Sequence, residues 1–339
     1  MMRYVLRRFA TMVVTLLLIS LLIFIVIKLP PGDFLTNKIN ELRAQGEAAS
    51  VAKAEAMRAQ YGLDKPLLHQ YATWLGILPG PNGFKGLIQG YWGWSFEYEQ
   101  PVKAVVGDAL LLTVLLNLAV IVFIHLVAIP IAIYSATRRN SVGAHLVTFL
   151  GYIGLATPSF LLALALLFYL NRWFGISIGG MFGPDYTDAP WSFGKLGSFL
   201  SHMIVPVVVI GLAGTAGMIR RLRANLLDEL AKQYTVTAKA KGLPPGRALL
   251  KYPFRIALNP FVADIGNLLP SIVSGSAIVS IVLSLPTIGP ILVQALRIQD
   301  QYLAGFILLF VAFLTVVGMF IADLALAVLD PRIRIGTGK

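Results

Sequence analysis

Residues 234–260 read Tyr-Thr-Val-Thr-Ala-Lys-Ala-Lys-Gly-Leu-Pro-Pro-Gly-Arg-Ala-Leu-Leu-Lys-Tyr-Pro-Phe-Arg-Ile-Ala-Leu-Asn-Pro, a small cationic island between long apolar segments. Lys239, Lys241, Arg247, Lys251 and Arg255 would each cost roughly 3 kcal/mol at the middle of a bilayer, more than the neighbouring leucines and alanines offset. The island therefore lies in water and its apolar flanks in membrane. It begins helix-like, breaks at Gly242 with Pro244 and Pro245 just beyond, and resumes at Arg247. That pattern predicts a short helix, a turn and a second helix, a shape suited to being gripped by another protein.

Composition agrees with the flanks. A chain of 339 residues that is 57% hydrophobic and 13% charged lies far from the soluble average. Its net charge of +12 sits beside apolar spans rather than on a soluble face, which points to membrane orientation and away from nucleic acid. The absence of cysteine excludes disulfides, thiolate metal sites and cysteine nucleophiles. The first apolar run, residues 9–29, follows Arg3, Arg7 and Arg8. It is longer than a signal h-region and has no Ala-x-Ala exit, so it reads as a retained first helix.

Six apolar segments are long enough to span about 30 Å of hydrocarbon: about 9–29, 109–135, 145–170, 202–219, 260–285 and 303–329. The expected fold class is an all-α integral membrane protein. Its divisions are an N-terminal segment and first helix at 1–29, an outer polar region at 30–108, and a core at 109–339 that includes the loop at about 224–259. Arg138 and Arg139 follow the second span, Arg220, Arg221 and Arg223 the fourth, and Arg332 and Arg334 the sixth. All fall on one side, with the island, if both termini are cytoplasmic.

In the outer region, 37–60 is rich in Ala, Glu, Lys and Arg and predicts a surface helix. Residues 78–93 are rich in Gly and Pro and read as irregular loop. A second outer loop, 173–200, carries Trp173, Trp191 and Phe193, which suit either an interfacial belt or contact with an external partner. Gly211, Gly214 and Gly217 in the fourth span permit close approach of helices. In the fifth span Asn267, Ser271 and Ser274 form one polar stripe, and Ser276, Ser280 and Ser284 another. These serve either helix packing or a polar, uncharged path for a solute. Asp264 and Asp323, near the inner ends of their helices, suit pairing with nearby cations or a proton relay.

Absent patterns narrow the function. There is no G-x-x-x-x-G-K-[ST] phosphate cradle, no H-E-x-x-H and no G-x-S-x-G. His69, His125, His145 and His202 lack ligand spacing. No catalytic, metal or cofactor site is assigned to the chain. A stand-alone secondary transporter is the alternative reading, but neither an internal repeat nor a paired set of interrupted helices supports it.

Several separated motifs carry a resemblance. They are the paired arginines at the start, Pro31-Gly32-Asp33, residues 61–67 (Tyr-Gly-Leu-Asp-Lys-Pro-Leu), Gly93-Trp94-Ser95, residues 237–243 (Thr-Ala-Lys-Ala-Lys-Gly-Leu), residues 285–289 (Leu-Pro-Thr-Ile-Gly), and the ending Leu329-Asp330-Pro331. In that order they resemble, over nearly the whole chain, the permease subunits of the oligopeptide/dipeptide/nickel group of bacterial ABC importers, specifically the first of the two paired permeases. The resemblance implies a six-helix type I importer permease in the bacterial inner membrane. Its implied partners are a second homologous permease, two cytoplasmic ATP-binding subunits and a periplasmic or lipid-anchored solute-binding protein, with ATP and Mg on the ATPases. It implies that residues 237–243 form the "EAA" coupling loop, for which Tyr234, Thr237, Ala238, Lys239, Lys241, Gly242 and Leu243 are the candidates. Asn267, Ser271, Ser274, Ser276 and Ser280 are the candidates for the path. The chain departs from the family pattern at several places. Val236 stands where the general loop has glutamate, and Tyr91 where an outer motif has aspartate. Ser280 replaces a common glutamate, and residues 78–89 form a longer outer link.

Overall fold

The computed structural model describes residues 2–81 and 83–329, except the side chains of 263–267, 269–271 and 274. Among these residues four helices are long and apolar enough to cross a membrane, or five if one bent pair is a single span. The chain divides into two compact units. One comprises residues 2–10, Leu112–Thr287 and 315–329, and the other Thr11–Leu111 and Ile288–Leu314.

The second unit carries most of α1 (Met2–Lys28), then α2 (Phe34–Ala44), α3 (Ala48–Gln60) and α4 (Leu67–Leu75). Asp33 starts α2, its Oδ1 accepting from the Thr36 backbone N–H at 2.7 Å, which satisfies one orphan donor of the first turn. The single surface helix expected at 37–60 is instead two, because Gly46 takes φ +76 between them. Beyond α4 come a 3-10 turn at Leu87–Gln89 and a two-stranded hairpin, β1 (Trp94–Ser95) with β2 (Gln100–Pro101). The hairpin hands over to α5 (Val102–Thr137). A core of Val102, Val106, Ile288, Ala295, Leu303 and Ile307 joins the first turns of α5 to α13 (Ile288–Arg297) and the start of α14 (Gln301–Leu329).

Asp300 organises this unit. It is fully buried, and its carboxylate accepts from Ser95 Oγ at 2.6 Å, from the Glu97 backbone N–H at 3.3 Å and from the Leu303 backbone N–H at 3.3 Å. One side chain thus ties the hairpin to the first turn of α14.

In the first unit α5 buries Leu112, Leu116, Val120, Ile124, Ala128, Ala132 and Ala136, one residue in every four. Such a row is the ridge along which helices interlock. Against it lies α8 (Phe193–Leu230), far longer than the expected 202–219 and beginning inside the expected outer loop. A Cβ on Gly211 would meet the Phe123 ring at 2.6 Å, and one on Gly214 would meet Ile124 at 2.7 Å, so these two glycines permit the contact. Gly217 has open space and does not.

The expected third span is two helices, α6 (Val142–Ala156) and α7 (Ser159–Phe174), bent by 97°. Pro158 has no N–H to continue the ladder, and Thr157 before it is extended at ψ 119. The apolar segment expected at 145–170 is thus a bent pair rather than a straight rod. The remaining elements are α9 (Gln233–Ala240), α10 (Pro245–Lys251), α11 (Pro253–Ala257) and α12 (Asn259–Val282). α12 has 24 residues, or about 36 Å of helix.

Candidate functional site

The island at 234–260 folds as its glycine and prolines dictate. α9 ends at Ala240, and Gly242 takes φ +84, open to a glycine and strained for any other L-residue. Its N–H donates to the Lys239 carbonyl at 2.9 Å, and the Leu243 N–H to the Ala238 carbonyl at 3.2 Å. This pair of bonds is a Schellman stop. The next helix starts at Pro245 rather than at Arg247, because proline suits the first helical position, where its missing N–H has no partner to lose.

Of the seven loop candidates, Ala238 is buried, Tyr234 and Leu243 are half-buried, and Thr237, Lys239, Lys241 and Gly242 are exposed. The structure thus brings them together on one short helix and its stop. Val236 is 53% exposed on the same helix. The outward surface of α9 is therefore apolar and cationic, with no carboxylate of its own.

What holds α9 is a residue the sequence reading missed. Glu229, near the end of α8, is 9% exposed and closes three bonds across the chain reversal. Its carboxylate accepts from the Tyr234 hydroxyl and from Lys232 Nζ at 2.6 Å, while its backbone carbonyl accepts from Thr235 Oγ1 at 3.0 Å. Burial, and then the neighbouring Glu229 carboxylate, push the Tyr234 phenol up to about 12, so it remains a donor at any physiological pH. The last turn of α8 and the first turn of α9 are one bonded unit. Beside them lies an open cavity of about 550 Å³, lined by Arg139, Leu227, Leu230, Lys239, Pro245 and Leu249.

The described members of the serine stripes face inward. Ser276 is buried and donates back to the Val273 carbonyl at 3.0 Å, as the packing reading expects. Ser280 is fully buried, and its hydroxyl has no partner among the described residues. Ser284 does not belong to the stripe: α12 ends at Val282, and Ser284 lies past it at φ +52. The side chains of Asn267, Ser271, Ser274 and Asp264 lie outside the described residues. Asp323 pairs with Arg8 at 3.1 Å, which fits the pairing reading.

Two of the loop features have clear local causes. In the 78–89 link, Gln89 donates to the Gly76 carbonyl and accepts from the Gly86 N–H, pinning the loop to the end of α4. In the 173–200 segment, Lys195 donates to the Thr187 and Ala189 carbonyls and lies under the Phe182 and Trp191 rings. Trp173, Trp191 and Phe193 are strongly exposed.

Comparison with known proteins gives two family matches. Residues 128–335 match the binding-protein-dependent transport system inner membrane component, and residues 1–119 match the N-terminal membrane component of the same systems. The chain is 32% identical to the oligopeptide transport system permease protein AppB of Bacillus subtilis, over 98% of this chain and 100% of the relative. It is 27% identical to the dipeptide transport system permease protein DppB of the same organism, over 99% of each chain. To the DppB of Lactococcus lactis it is 26% identical, over 99% of this chain and 100% of the relative.

Proposed function

The chain belongs to the inner membrane components of binding-protein-dependent transport systems, and on that premise we propose that it carries short peptides and couples to its ATPase through α9. It is an ABC importer permease, not an enzyme and not a secondary transporter, in a family that works with ATPase and solute-binding components. In the proposed assembly it pairs with a second homologous permease over two cytoplasmic ATP-binding subunits, which hold ATP and Mg. Both termini and α9 lie in the cytoplasm, and residues 30–108 face the solute-binding protein.

The observation that carries the coupling role is the Glu229 clamp. A helix that another subunit pushes moves the membrane domain only if the push is not absorbed at a hinge. Here the reversal between α8 and α9 is bridged by Tyr234, Lys232 and Thr235, so displacement of α9 passes into the 38-residue α8. The exposed surface around Val236, Thr237 and Lys239 is what an ATPase groove would meet. For the path the proposal keeps α12, where Ser280 has hydrogen-bonding capacity to spare. The peptide substrate is supported by the relatives' names, oligopeptide and dipeptide permeases.

The test is reconstitution in liposomes with the partner permease, the ATPases and the solute-binding protein. ATP-dependent uptake of di- to oligopeptides is expected, with none from the chain alone. A solute-binding protein that holds a sugar or a metal chelate and ignores peptides would overturn the substrate assignment.

A further inference from the structure

We propose that the groove between α6 and α8 is a binding site for an anionic phospholipid, with Arg220 and Arg223 holding its phosphate. The two helices run antiparallel and touch closely at one level, where a Cβ on Gly154 would meet Leu212 at 3.2 Å. One turn along, a Cβ on Gly151 would meet Ala216 at 3.9 Å, and from there a groove of about 50 Å³ opens toward the Arg223 end. Its walls are Val147, Leu155 and Ile219, with Thr148, Tyr152, Arg220 and Arg223 as its polar lining.

Three observations choose the ligand. First, the groove holds two cations one turn apart and no carboxylate, and among the described residues neither Arg220 nor Arg223 forms an ion pair. Arg223 is nonetheless held in place, its Nε donating to the Ser135 carbonyl of α5 at 3.3 Å, a bond that does not use its Nη donors. Second, the cations sit at one end of apolar walls that continue into the span, where a headgroup lies above its acyl chains. A free phosphate would leave those walls unfilled. Third, Leu146, Phe149, Leu150 and Ile153 of α6 are exposed beside the groove and offer a surface for alkyl chains. Basic pockets between membrane helices on the cytoplasmic side are where anionic headgroups bind.

The test uses the assembled importer in detergent. Its unfolding temperature is followed while phosphatidylglycerol, phosphatidylcholine or inorganic phosphate is added. Phosphatidylglycerol is expected to stabilise, and the Arg220→Gln/Arg223→Gln variant to need about 30-fold more of it, from ~1 kcal/mol per cation at 1.4 kcal/mol per decade. Arg247→Gln, an exposed cation elsewhere, should leave the response unchanged. Equal responses from wild type and the double variant would overturn the site, as would stabilisation by inorganic phosphate alone. Loss of the partner subunits from the double variant, with the lipid response intact, would make the groove a protein interface and also overturn it. A second reading needs no arginine variant: in Tyr152→Trp, brominated phosphatidylglycerol should quench the added fluorescence several-fold better than brominated phosphatidylcholine, and equal quenching would count against the site.

Discussion

Replacing Glu229 by Ala should disconnect ATP turnover from uptake. The Tyr234 hydroxyl donates to a carboxylate whose side chain is only 12% exposed, and a hydrogen bond to a charged group is worth roughly 1.5–3 kcal/mol. The Lys232 side chain is 54% exposed, so its pair adds about 0.5 kcal/mol after solvent screening. Together they hold α9 on α8 by about 2–3.5 kcal/mol, a factor of about 30 to 300 in the ratio of clamped to loosened reversal. The Thr235 bond runs to the backbone and survives the substitution. The assay is peptide accumulated per ATP hydrolysed in proteoliposomes holding the whole importer. Glu229→Ala should lower that ratio at least about five-fold while leaving hydrolysis within about two-fold, and Tyr234→Phe should fall between it and wild type. The double variant should be no worse than Glu229→Ala, since the two residues share one bond. The phenol pushed up to about 12 adds a pH signature. A raised pKa means that the bond contributes in full below the ordinary 10.0 and is lost as pH rises toward 12, so coupling should be flat across neutral and mildly alkaline pH. Unchanged coupling in a fully assembled Glu229→Ala, Tyr234→Phe importer would refute the clamp.

Gly242→Ala should loosen the end of α9 by about 1–2 kcal/mol through backbone strain alone, since a Cβ there meets nothing within 4 Å. Gly242→Asn should be milder, and equal transport ratios for both variants and wild type would contradict this. Burial holds the Asp300 carboxyl above the usual carboxylate range, against the pull of Ser95 and the backbone donors. Its folded form therefore binds a proton more tightly than its unfolded form. Its contribution is full below the ordinary 3.8 and is lost as pH rises through the folded value. Wild type should thus gain unfolding temperature over Asp300→Asn as pH falls through the folded value. A gap that stays constant or shrinks would count against it. Single cysteines placed at Lys85 and Arg247 in this cysteine-free chain should label from opposite faces of the membrane, and labelling from one face would refute the orientation.

The loop was legible where backbone chemistry is local. Gly242 and Pro245 announce a stop and a start by the conformations that only they favour, and α9 and α10 follow. Glu229 was not legible, because a glutamate near a helix end reads as a solvated charge until the chain reverses and returns Tyr234 to it. Asp300 was hidden by distance, its partner Ser95 lying 205 residues away. The 97° break at Pro158 escaped because hydropathy counts side chains, whereas the break is made by a missing N–H. Proline alone would not have revealed it, since Pro130 and Pro206 lie inside unbroken helices. The serine stripe failed at Ser284 because periodicity assumes that the helix continues, and α12 had already ended.

The glycine contact on α8 has a mechanical consequence. Gly211 and Gly214 touch α5 near the middle of the 38-residue rod, about 24 Å from its Leu230 end and about 27 Å from its Phe193 end. A rod tilted about that level would be a seesaw with nearly equal arms. Tilting it by about 10° there would carry the clamped end by about 4 Å and the opposite end by about 5 Å the other way. Such a fulcrum neither magnifies nor diminishes a stroke. It reverses its direction, so that the two ends of α8 move opposite ways.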